Sequence, residues 1–167
     1  MNPADPGEIS KKRLALVCVD SSKYSANTLD WYFQNAYQEG DEIGLVHIHI
    51  PPSLNICGNI LTYASTTSGH AIYQHKLDES IAECKDIVNK YKAKCLRNNV
   101  EPKVFVKSIE ESVGRTICMI AKEQGAFLIV MGQRGLGVIN RTLLGSVSDY
   151  VLHHANIALI VVPQTEM

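Results

Sequence analysis

Two glycines three apart, Gly132 and Gly135, followed after nine residues by the pair Gly145-Ser146, are the part of this sequence best suited to holding an anion. Glycine carries no Cβ, so backbone N–H groups can come close to a phosphate oxygen there. A helix opening at Gly145-Ser146 would add N–H donors that have no partner within the helix, and a partial positive charge. Hydroxyls at Ser146 and Ser148 and guanidinium groups at Arg134 and Arg141 stand in the same stretch. Two common phosphate loops are absent. No Gly-Lys-Ser/Thr occurs, and no G-x-G-x-x-G follows the first apolar run. Asp20, at the end of that first run, could position a divalent cation or accept from a ribose hydroxyl.

Other residues could do chemistry and are weighed against plainer roles. His47 and His49 are two apart in a β-type segment, so their rings share one face and could suit a metal, but no third ligand is evident. His153 and His154 are adjacent in a helical segment, about 100° apart around the axis, and cannot easily chelate one ion. No G-x-S-x-G elbow supports a hydroxyl nucleophile. Cys57 is the cysteine expected to be exposed, and no Lys, Arg or His lies within four residues to activate it. The five cysteines are scattered without a C-x-x-C pair, which suits reduced, mostly buried thiols.

These residues need elements to position them. Arg13 to Asp20 reads as a buried strand, with Ser22 capping the helix that follows. Leu29, Phe33 and Ala36 share a helical face, and Gly40 is placed to end that helix. Glu42 to Ile50 reads as a second strand closed by Pro51-Pro52. Residues 51–69 show no periodicity and are expected to form a long loop. From His70 to Arg97, Tyr73, Leu77, Ile81, Cys84, Val88, Tyr91 and Cys95 repeat at helical spacing. Lys103 to Lys107 alternates as a third strand, and Val113, Ile117, Ile120 and Ala121 predict a helix between Ser112 and Gly125. Phe127 to Met131 is apolar throughout, as a strand covered on both faces would be. A last helix over Gly145 to His154 and a fifth strand over Ile157 to Val162 complete the pattern. Five strands alternating with four helices predict an α/β fold, a doubly wound and mostly parallel sheet with helices on both faces.

Bulk composition narrows the classes further. The chain has 167 residues, 46% hydrophobic and 20% charged, with sixteen basic against seventeen acidic side chains. That size and balance suit a single domain over residues 13–167, preceded by a polar, disordered lead over residues 1–12. A net charge of −1 disfavours gripping nucleic acid or anionic lipid. No apolar stretch reaches the roughly 20 residues of a membrane helix, and residues 1–12 lack the apolar centre of a secretory signal. A cytoplasmic location is the expectation.

The spacing Gly132-x-x-Gly135, nine residues, Gly145-Ser146 resembles the ATP-binding signature of the universal stress protein family. The resemblance runs from Arg13 to Pro163: Val17-Cys-Val-Asp20 is similar to that family's first strand, Leu45-Val-His-Ile48 to its second, Phe127 to Gly132 to its fourth, and Gly145 to Pro163 to its closing helix and strand. It implies a doubly wound, universal-stress-protein-like fold that binds ATP, or ADP or AMP, with Mg²⁺. Adenine would lie against Val19, Asp20 and Ile48. Ribose and phosphates would rest on Gly132, Arg134, Gly135, Gly145, Ser146, Val147 and Ser148, with Met131 completing the cofactor-binding set. The sequence departs from the family at Phe127, where an acidic residue is usual, and at Ile109 to Gly114, where Gly-Asp often follows the third strand. The resemblance further implies a homodimer paired through residues 157–162, and a regulatory, stress-response module rather than a fast enzyme. The alternative is a slow ATPase or a phosphotransferase with an unknown acceptor.

Overall fold

A computed structural model describes residues 13–53, 67–133 and 144–163. Nine elements follow in order: β1 (Leu14–Cys18), α1 (Lys23–Asn35), β2 (Glu42–His49), α2 (Thr67–Arg97), β3 (Lys103–Ser108), α3 (Val113–Gln124), β4 (Leu128–Gly132), α4 (Ser146–His154) and β5 (Ala158–Val162). The five strands form one sheet in the order β3-β2-β1-β4-β5, and every pairing is parallel. Strand order reverses between β1 and β4, which is where sheets of this type open a crevice at their carboxyl ends.

Each face of the sheet has its own core. On one face, Val17, Leu45 and Val130 pack with Leu29 and Tyr32 of α1 and Tyr91 of α2. On the other, Leu16, Val46 and Ile129 pack with Ile117 and Ile120 of α3 and Val151 of α4. Residues 128–131 of β4 are all buried, as expected of a strand covered on both sides. The edge strand β3 differs. Val104 and Val106 alternate with Phe105 as the sequence predicts, yet they stay 40% and 46% exposed because no helix fully covers the edge.

Local differences from the sequence reading have physical causes. Helix α1 stops at Asn35, with the Ala36 N–H bonded to Tyr32 O, rather than running to Gly40. Gly40, at φ +94°, instead serves the turn that brings Asp41 back before β2. Helix α2 begins at Thr67, three residues before the expected His70. Its apolar stripe is buried at Cys84, Val88, Tyr91 and Cys95, whereas Ile81 is 40% exposed and lines an open cavity with Val104 and Val106 of the edge strand β3. Ser112 caps α3 by accepting from the Arg115 N–H, and Gly125 closes it in a left-handed conformation at φ +61°.

Candidate functional site

A cleft of about 370 Å³ opens at the carboxyl ends of the strands, where the order reverses. The ends of β1 and β2 form one side, β4 and the start of α4 another, and Val113 and Ile117 of α3 close the apolar wall.

The β1 end is held by side chains from three other elements. The Val19 N–H donates to Val46 O at 2.8 Å, the last backbone bond between β1 and β2. The Val19 carbonyl accepts from the His47 ring Nδ1–H at 2.9 Å. The Asp20 N–H donates to Ser25 Oγ at 2.9 Å, and the Asp20 carbonyl accepts from the Tyr91 hydroxyl of α2 at 3.1 Å. Asp20 Oδ1 accepts from the Ser22 N–H at 3.0 Å, from the Ser25 hydroxyl at 2.6 Å and from the Ser22 hydroxyl. Ser22 also accepts from the Ser25 N–H as the cap of α1, as expected. A carboxylate is thereby seated at the start of α1, an end favourable for negative charge.

At the β4 end, the Gln133 N–H bonds Val162 O at 2.8 Å and carries the β4–β5 ladder one residue past the strand. Gly132 faces α1 at close range: a Cβ there would stand 2.8 Å from Thr28 Oγ1. Helix α4 opens at Gly145, and its first internal backbone bond is from the Asp149 N–H to Gly145 O. The N–H groups of Ser146, Val147 and Ser148 precede that bond and have no acceptor within the helix. The Ser148 hydroxyl donates to Gly145 O at 2.9 Å and is buried, so its one proton serves the cap rather than an anion. Ser146 is exposed at the mouth.

Val19, Asp20, Ile48, Met131 and Gly132 therefore share the cleft with Gly145, Ser146, Val147 and Ser148, all singled out in the sequence. Arg134, Gly135 and Arg141 lie outside the described residues, as does Cys57. Cys18, Tyr24, Ser25 and His47 also line the cleft. Ser25 was legible as the residue three after a cap; Cys18 and Tyr24 carried no such signal. Burial, the neighbouring Cys118 and Asp20 push the Cys18 thiol up to about 12, so it stays protonated near neutrality.

The two strand histidines do not converge on an ion. His47 is 7% exposed and committed to Val19, while His49 Nε2 lies 2.8 Å from the Ser80 hydroxyl. No cluster of three metal-ligating side chains occurs among the described residues. His154 stacks on Tyr150 at 4.0 Å between ring centroids, and His153 lies 3.7 Å from Asp149, so the adjacent pair is split as its helical spacing requires. No helix among the described residues is long and apolar enough to cross a membrane.

The fold is shared with solved structures. A universal stress protein from Lactobacillus plantarum matches with a TM-score of 0.65 at 21% identity, over 90% of this chain and 97% of that one. An Arabidopsis thaliana universal stress protein family member, solved with AMP bound, matches with a TM-score of 0.61 at 15% identity, over 92% of each chain. A universal stress protein in complex with cAMP matches with a TM-score of 0.51 at 19% identity, over 92% of this chain and 98% of that one. In sequence, a universal stress protein of Mycolicibacterium smegmatis is 31% identical over 88% of this chain, and the chain spans 47% of that relative's length. The Bacillus subtilis universal stress protein YxiE is 28% identical over 88% of this chain and 96% of its own. The universal stress protein family profile matches residues 13–163. With that profile covering nearly all of the chain, this protein belongs to the universal stress protein family.

Proposed function

We propose that this chain is a nucleotide-dependent regulatory module of the stress-response type, binding ATP, or ADP or AMP, in the cleft at the strand reversal. The observation that carries the reading is the pairing, in one cleft, of an apolar recess at the β1 and β2 ends with the open amino terminus of α4. The recess, with Val19, Asp20 and Ile48, suits a flat purine. The α4 terminus, with Ser146 and the N–H groups of Val147 and Ser148, suits phosphate. Gly132 and Met131 floor the space between, and Arg134 and Gly135 are assigned to the phosphate end on sequence. The AMP- and cAMP-bound relatives of the same fold support the choice of adenine. Among the described residues a single carboxylate lines the cleft, Asp20, which fits Mg²⁺ carried in by the phosphates and largely hydrated. Asp20 and His47, which could orient water, are committed to hydroxyl and backbone partners, so hydrolysis is expected below about 1 per second. The active species is proposed to be a homodimer paired through β5.

Gly145→Asp separates binding from folding. Gly145 has φ −64° and ψ 152°, which any residue adopts, and aspartate is a favourable cap. The melting temperature should hold or rise, while the added carboxylate repels phosphate and lowers ATP affinity at least about tenfold, roughly 1.4 kcal/mol. Calorimetry with ATP, ADP and AMP reads it out. A wild type giving no heat with any of the three would sink the nucleotide reading.

A further inference from the structure

The mouth of the proposed base recess is a split between two strand ends, and one side chain keeps it split. β1 and β2 are joined through the bond from Val19 N–H to Val46 O. In a parallel ladder the next residue of β2 to face β1 is Ile48, and its natural acceptor is the Val19 carbonyl. That carbonyl is taken by the ring of His47, one residue earlier on β2 and pointing to the α2 side of the sheet. His47 is 7% exposed, so the bond is shielded from water and its carbonyl would be costly to leave unpaired. The neighbouring Asp20 N–H and carbonyl are fixed by Ser25 and Tyr91. His47 supplies the corresponding restraint on Val19, and no other side chain among the described residues bonds that carbonyl.

We propose that His47 is a positioning residue for the base: by holding the Val19 carbonyl it stops the β1–β2 ladder one rung short and keeps the recess beside Ile48 open. The proposal rests on the nucleotide reading of the cleft and adds to it a role for a cleft-lining residue exerted through the Val19 carbonyl. Without the ring, the Val19 carbonyl turns to the Ile48 N–H, the ladder closes by one rung, and the base loses its slot. The phosphate end, built from α4 on the opposite face of the sheet, is untouched.

The substitutions follow from ring geometry. Asparagine places an amide N–H close to where Nδ1–H stands, glutamine reaches one bond further, and leucine fills the volume without a donor. Calorimetry with AMP and with inorganic tripolyphosphate, together with thermal melts, tests the idea. His47→Leu and His47→Gln should bind AMP about tenfold more weakly and tripolyphosphate as wild type does, and His47→Asn should recover AMP binding to within about threefold. Equal losses for both probes would make His47 a general stabiliser and overturn the proposal. So would a leucine or glutamine variant that binds AMP like wild type, or an asparagine variant no better than glutamine. Should the leucine variant fail to fold, the asparagine and glutamine pair decides the matter alone. A wild type that takes up neither AMP nor ATP overturns the nucleotide reading and this one together; a wild type that binds AMP while indifferent to His47 overturns this one alone.

Discussion

A methyl group at residue 132 would stand 2.8 Å from Thr28 Oγ1, a hydroxyl already donating to Tyr24 O at 2.9 Å within α1. Glycine at this position is therefore demanded by the approach of α1 to β4, whatever the cleft holds. Gly132→Ala should destabilise the fold by about 1–3 kcal/mol in urea unfolding, as other overpacked sites do. Thr28→Ala removes the obstructing oxygen, so the double variant should lose less than the sum of the singles, by about 1 kcal/mol. Strict additivity would show that the two positions do not meet. The pair explains why only part of the site was legible in advance. Glycine spacing and the serines at a helix start pointed to the cleft, because phosphate chemistry and helix capping use few residue types. Sequence could not tell which glycine answers to a ligand and which to a neighbouring helix. Nor could it foresee that Ser148 spends its proton on Gly145, since that depends on cap geometry.

At the scale of elements, the amino ends of three strands are tied by one cluster. Arg13, before β1, forks onto Asp41, before β2, with Nε and Nη2 donating at 2.9 and 3.0 Å. Its guanidinium also lies 4.6 Å from the ring centroid of Phe127, before β4. The residue that departs from the family's acidic pattern thus supplies a face for Arg13, while Asp41 supplies the charge. Burial pushes the Asp41 carboxyl up, but the hydrogen bond from Arg13, the Gln38 N–H and the Arg13 charge outweigh it, and the pKa falls below its usual 3.8. A carboxyl with a folded pKa below its unfolded one stabilises above the unfolded value and loses that contribution as pH falls through the folded one. Wild type should therefore lose stability more steeply than Asp41→Asn as pH drops below about 4, and thermal melts across that range check it. Equal slopes would mean the fork contributes nothing to acid resistance. β1, β2 and β4 were readable from apolar runs, since burial on both faces leaves little choice of residue, whereas β3 was readable from its alternation. The partial exposure of the α2 stripe at Ile81 was not, because periodicity records which face is apolar and not how closely a neighbouring strand packs against it.

For the whole molecule, β5 is the edge strand beyond β4, half-buried along most of its length, with Ile160 opposite Val130. Its outer edge has no neighbour within the sheet, a condition that invites pairing with another chain. The proposed homodimer uses that edge, and Ile160→Lys should shift it toward monomer in light scattering at micromolar concentration, with the monomer still folded. A monomeric wild type would rule the assembly out. The proposed nucleotide cleft and the anchoring cluster, meanwhile, occupy opposite poles of the sheet: the cleft at the carboxyl ends of the strands, the Arg13, Asp41 and Phe127 cluster at the amino ends. Between them run β1, β2 and β4, whose side chains are almost wholly interior, so substitutions at one pole should add to those at the other nearly independently. Such a chain is favourably arranged for divergence. Substitutions in the turns around the cleft can therefore change what it accepts while the far pole preserves the scaffold, without compensating changes there.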